Sequence, residues 1–393
     1  MRVLYGSLVV AALAWASDPP DGGDSVRVRR CGDCTTVGGP QSVGVFLINL
    51  TATPGVDGAL RDSRLPAACN AAAVRETFFG RGASSVNDFY REVSGGRVSI
   101  VGEVIGVVTV PDPEPDNPRC FAGPRLVQAV DAAARAQGMD FERFSRRVYI
   151  TAPRLGCRTA ASGGPAASGA GVPVSIFGGG CPAASHAAHE IGHTFGLGHS
   201  MLDSTFGGGP WGAAMQEAGD VMGYSAALTP FNAVHKAQMG WLAPARVQRV
   251  TVAPGGVTDV FLSGLYADDA GNPDPQVVIV PFPDGSDRDF YLSFRQSSGL
   301  DANLDFDPGS PGIAGGPYLN NLSVHWFNRY CPDVYGDEFN TVKQRSYLLK
   351  TLKDGEEFTP RWPDEMKDTP RIRFRQIGVV KERGSLQVRI ERE

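Results

Sequence analysis

Histidine is scarce in this chain, with 6 among 393 residues. Charge of either sign is nearly balanced: the formal net charge is −5 with the histidines neutral. Nothing suggests a basic surface for neutralising phosphates, so nucleic acid is excluded as the expected partner. Past residue 16 no uncharged apolar run is long enough to span a bilayer, and there is neither an internal repeat nor a low-complexity tail. The one long apolar run opens the chain. Arg2 precedes Val3 to Trp15, which is broken only by Gly6 and Ser7; Ala14-Trp15-Ala16 then offers small residues for cleavage, and Ser17-Asp18-Pro19-Pro20 turns polar. Residues 1–16 therefore read as a secretory signal peptide, and the remainder as a secreted protein with no membrane span, expected to be a monomer.

Glycine (49) and proline (29) are abundant, yet apolar runs recur throughout, which implies many turns rather than disorder. Residues 17–42 form a Gly/Asp/Arg-rich leader or short propeptide. From 43 to 245 strands alternate with helices, the pattern of α/β layer packing. Val43 to Leu50 is a buried-strand run, Arg97–Val101, Val104–Val110 and Val148–Thr151 are further strands, and Ser84 to Val93 and Leu126 to Ala136 have helical spacing. Gly171 to Phe177 contains Pro173, so it is expected at a sheet edge. Another helix runs over Pro230–Met239, with Pro230 in its first turn. Beyond Trp241 short strands separated by turns indicate a β-rich C-terminal domain, 246–393, of sandwich type.

Seven cysteines in an oxidising compartment should mostly pair, and the odd count leaves one over. The expected pairs are Cys157 with Cys181, which flank a Gly/Ala/Ser-rich stretch, and Cys69 with Cys120. Three of the scarce histidines fall in one window, His189-Glu190-Ile191-Gly192-His193-Thr194-Phe195-Gly196-Leu197-Gly198-His199. His189 and His193 stand at i and i+4, on one side of a helix, where both can hold one ion. Glu190 is placed beside a water on that ion without ligating it. Gly196 lets the chain leave the helix through a turn that often needs positive φ, bringing His199 back as third ligand. Three histidines leave the fourth tetrahedral position open, as in a catalytic zinc site. His186 reads as a surface or supporting residue, and His235 and His325 as structural ones.

This window resembles the extended zinc-peptidase signature of metzincins. Gly219-Asp220-Val221-Met222-Gly223-Tyr224 resembles their Met-turn, which implies Met222 as an apolar floor beneath the histidines. By the same resemblance Tyr224 ligates the resting metal and then donates to the oxyanion. Within metzincins the chain is similar to gametolysin-type (autolysin) peptidases. The likeness rests on Ser85-Val86-Asn87-Asp88-Phe89-Tyr90 with Ser94-Gly95-Gly96-Arg97, on Ala188 to His193, and on Phe231-Asn232-Ala233 with Gln238-Met239-Gly240-Trp241-Leu242. It spans about residues 43–245. It implies a metzincin-like catalytic domain with a mixed sheet, Zn²⁺ as cofactor and Glu190 as general base. The implied substrates are extended polypeptides or glycoproteins of the extracellular matrix or cell wall. The alternative is a non-catalytic adhesion or glycan-binding protein on the same scaffold.

Arg30-Cys31-Gly32-Asp33 resembles the cysteine switch of matrixins, in which a propeptide thiolate caps the zinc; Cys31 bonded to Cys34 or Cys331 is the other reading. Asp301, Asp305 and Asp307 share one loop. Hard oxygen ligands at that density can hold Ca²⁺, or the loop is a solvated acidic turn.

Overall fold

The computed structural model describes residues 37–54, 59–82, 84–113, 123–153, 160–164, 172–203, 217–224, 227–266, 271–304, 316–328, 346–362 and 366–393. The signal peptide, Cys31, Cys34, Cys120, Cys157, Cys331, Asp305 and Asp307 lie outside the described residues.

The first sheet is built on β1 (Gly39–Pro54), which begins ahead of the apolar run expected from Val43. β2 (Leu60–Ser63) pairs antiparallel with its far end. β3 (Val98–Pro111) runs parallel along one side of β1, and β4 (Arg146–Thr151) parallel along the other. β5 (Ala160–Gly164) and β6 (Val174–Gly178) complete the order β2-β1-β4-β6-β5. The strands expected at Arg97–Val101 and Val104–Val110 are one, β3. Its ladder to β1 passes through Gly102, where a Cβ would strike the Val43 carbonyl.

The sheet is covered on both faces, which is why its central strands read as unbroken apolar runs. On one face Val43, Val45 and Leu47 meet α1 (Ala71–Phe79), α2 (Val86–Val93) and α4 (Ala184–Thr194). On the other, Phe46, Ile48 and Leu50 meet α3 (Pro124–Ala136). α2 is capped by Ser85 and buries Val86, Phe89, Tyr90 and Val93, a one-sided stripe. α1 gave no sequence signal beyond its cap: the Asn70 side chain accepts from the Ala72 and Ala73 N–H groups at 3.1 Å.

The expected edge at Pro173 is corrected. β6 lies between β4 and β5, and Pro173 stands just before its ladder, where its carbonyl accepts the Arg147 N–H at 3.1 Å. A proline there removes no ladder bond. Among the described strands the edge on that side is β5, which runs antiparallel and whose Ala, Ser and Gly residues carry no apolar period.

A second sheet has the order β7-β13-β12-β11-β10-β8, made of β7 (Ser200–Leu202), β8 (Val247–Arg249), β10 (Val277–Pro281), β11 (Arg288–Phe294), β12 (Leu322–Asn328) and β13 (Ser346–Leu352). A third has the order β14-β15-β16-β9, from β9 (Val257–Leu262), β14 (Glu357–Phe358), β15 (Ile372–Val380) and β16 (Ser385–Arg392). The two share one apolar core, with Val278, Phe290 and Val324 from the second sheet and Leu262, Phe374 and Val388 from the third. β7 follows α4 in sequence and pairs with β13, Ser200 opposite Ser346. The second sheet thus takes a strand from ahead of residue 245. Between the parts lies α5 (Ala233–Gln238). Its cap is Asn232, whose Oδ1 accepts the His235 N–H at 3.0 Å, so Pro230 lies outside the helix, contrary to expectation.

Cys69 and Cys181 form a disulfide with Cα atoms 5.2 Å apart. This overturns both expected pairings, Cys157 with Cys181 and Cys69 with Cys120. Position along the chain was the only guide in the sequence, whereas the fold brings the approaches to α1 and α4 together on one face of the first sheet.

Candidate metal centre

α4 carries His189 and His193 one turn apart, with their Nε2 atoms 3.1 Å from each other. The chain leaves the helix at Phe195, and Gly196 takes a φ of 90°, the positive value the turn was expected to need. His199 returns so that one ring nitrogen from each of the three histidines lies within 4.8 Å of the others. Each helix histidine is oriented from behind. His189 Nδ1 is 2.7 Å from the Val221 carbonyl and His193 Nδ1 is 2.7 Å from the Leu197 carbonyl. A carbonyl only accepts, so both Nδ1 atoms carry the proton and both Nε2 lone pairs face inward. Burial first, then the neighbouring histidines, lowers both imidazoles to about 3, which keeps them neutral, the form that ligates. Zinc–nitrogen bonds of ~2.0–2.1 Å put tetrahedral nitrogens about 3.3 Å apart. The donor set fits one such ion.

Glu190 is 7% exposed, and its Oε2 has no hydrogen-bond partner among the described residues. Burial pushes its carboxyl up to about 8, and a dication alongside would pull it down. β5 runs against this residue. A Cβ at Gly163 would overlap the Glu190 carbonyl and stand 3.1 Å from Oε2, so only glycine lets the sheet edge approach so closely.

Met222 is fully buried beneath the helix. A Cβ at Gly192 would overlap its Sδ, so the thioether lies directly against the turn between His189 and His193. Asp220 holds the loop's shape: Oδ1 accepts the Met222 N–H at 2.6 Å, and Oδ2 accepts the Asn232 N–H at 2.8 Å and faces His235 Nδ1 at 2.7 Å. The half-buried Tyr224 packs against the cluster of Leu202, Ala218, Leu304, Tyr318 and Leu348, and its N–H donates to the Glu217 carbonyl at 2.9 Å.

Several supporting residues escaped the sequence. Tyr90 Oη donates to the Ala188 carbonyl at 2.7 Å from below the helix. Arg146 donates to Thr194 Oγ1 at 3.1 Å and stacks 4.5 Å over Phe195, a cation at the helix C-terminus. Only long-range pairing reveals them. His186 is exposed, while His235 and His325 are buried in polar pairs with Asp220 and Glu217. Asp301 is not in a solvated turn. It is 1% exposed and pairs with Arg295 at 3.3 Å.

Residues 62–345, most of the chain, match the family model described as gametolysin peptidase M11. No curated protein matches the chain.

Proposed function

The chain belongs to the gametolysin peptidase family, and from that premise we propose that it is a secreted zinc-dependent endopeptidase. One observation carries the reading: three clustered imidazole nitrogens, two of them on the helix that also bears a buried carboxylate, one oxygen of which has no hydrogen-bond partner among the described residues. Zinc held by His189, His193 and His199 would supply Lewis acidity and lower the pKa of water to near 7.

The chain's own residues supply the rest. Glu190 Oε2 takes the proton of the attacking water and delivers it to the leaving amine. The open edge of β5 receives an extended polypeptide as an added strand, and Gly163 brings that edge to Glu190. Tyr224 donates its hydroxyl to the developing oxyanion. Substrates are extended segments of extracellular, matrix or cell-wall proteins and glycoproteins.

Glu190→Gln tests this. The variant should fold and keep its metal while kcat falls by about 10²–10⁴-fold, the reach of a general base. Near-native turnover would reject Glu190 as the base, whereas a wild-type chain that hydrolyses no polypeptide would return the adhesion reading. Tyr224→Phe should lose less, about ten- to a thousandfold, the scale of one oxyanion donor.

A further inference from the structure

The loop Glu217–Tyr224, which carries Val221 O behind His189 and Met222 beneath it, is closed on the strand that follows His199. Glu217 N–H donates to Ser200 O at 3.1 Å, Ser200 N–H donates to Met222 O at 3.1 Å, and Tyr224 N–H donates to Glu217 O at 2.9 Å. The Glu217 side chain is the tie at the base of this loop. It is fully buried, and it accepts from Ser200 Oγ, from Asn232 Nδ2 at 3.1 Å and from His325 Nε2 at 3.1 Å. His325 stands on β12 and is 1% exposed. From β13 Ser346 adds a second tie: its hydroxyl lies 2.9 Å from Ser200 Oγ, 2.9 Å from Asn232 Nδ2 and 3.3 Å from His235 Nε2. His235 in turn pairs with Asp220, which shapes the Met222 turn. Glu217, Asn232 and Asp220, which shape the floor of the histidine cluster, are thus each one or two hydrogen bonds from the second sheet.

A carboxylate buried this deeply is tolerated only if its donors are held in place, and two of the elements holding them are β12 and β13. We propose that Glu217, His325 and Ser346 are positioning residues of the metal centre, so that the C-terminal sheet is part of its scaffold. They act through Ser200, the residue after His199, and through the loop that orients His189; none touches the ion or the substrate. This rests on reading the three histidines as a zinc site.

The test is competition for Zn²⁺ with a chromogenic chelator, run on the full secreted chain beside its thermal midpoint. His325→Phe fills the same space without a donor and should weaken zinc binding about tenfold or more, within the range known for outer-shell partners. His325→Gln restores a donor and should bring affinity back to within about threefold of wild type on the same scale. Leu386→Ala, a cavity in the core beneath β16, should lower the midpoint while leaving zinc affinity unchanged. If His325→Phe does not fold, Ser346→Ala decides, since it removes one hydroxyl and should weaken zinc in the same direction. Unchanged affinity in the folded His325 or Ser346 variant overturns the positioning role. So does a Leu386→Ala variant that loses zinc in step with its stability, because the effect would then be global. A wild-type chain that binds no Zn²⁺ would remove the catalytic reading itself, a different result from a normal affinity in the variants.

Discussion

Gly192 offers a sharp test of the packing beneath the histidines. It sits on α4 between His189 and His193, and an alanine there would place its Cβ inside contact with Met222 Sδ, 3.2 Å from Met222 Cε and 3.5 Å from Tyr90 Oη. Two effects oppose. Alanine favours a helix interior over glycine by about 1 kcal/mol. Overpacking a filled core costs about 1–3 kcal/mol. Gly192→Ala should therefore destabilise by about 0–2 kcal/mol, the difference of those terms. Met222→Ala alone should cost about 2–5 kcal/mol, as for other large-to-small core changes. With the thioether gone the clash is gone, so adding Gly192→Ala to Met222→Ala should stabilise by about 1 kcal/mol. Urea unfolding of the four proteins measures this cycle. The predicted signature is a reversal of sign between the two backgrounds. An identical effect of Gly192→Ala in both would show that Met222 does not press on the helix and would refute the floor role.

Acid should loosen the link between the parts of the chain. Burial raises the Glu217 carboxyl, but His325 and the hydrogen bonds from His325 and Ser200 outweigh it and hold the group at about 2, below its ordinary 4.5. The unfolded chain therefore binds the proton first: this contribution is intact above pH 4.5 and is lost as pH falls through 2. Glu217→Gln should flatten that part of the stability–pH curve, read by thermal midpoints across the window; an unchanged slope would place the acid sensitivity elsewhere. Reducing the Cys69–Cys181 bond, which spans a separation of 112 residues, should cost about 2–5 kcal/mol, seen as a lower thermal midpoint with a reductant. A midpoint indifferent to the reductant would mean that the bond adds nothing to the fold.

What could be read from the sequence was local. His189, His193 and Glu190 are set by helical spacing, and the turn to His199 by one glycine, so the histidine cluster needed no tertiary knowledge. β1 and β4 were legible because burial on both faces leaves an unbroken apolar run. β5 was not, since its Ala, Ser and Gly residues carry no apolar period, and Gly163 is required by the closeness of Glu190. Pro173 suggested an edge because the rule concerns missing N–H groups within a ladder, and the residue stands one step outside it. The disulfide and the Glu217–His325 contact depend on residues brought together from 112 and 108 positions apart. No periodicity records such meetings; only the folded sheets create them.

In the proposed mechanism His189, His193 and His199 hold one catalytic zinc. The most direct measurement is hydrolysis of an unfolded protein substrate by chelator-stripped enzyme titrated with Zn²⁺. Activity should be absent at the start, rise linearly and break at one equivalent of zinc per chain, with no restoration in His199→Ala. Full activity in the stripped protein, or a titration that His199→Ala follows unchanged, would rule out a catalytic zinc on these histidines.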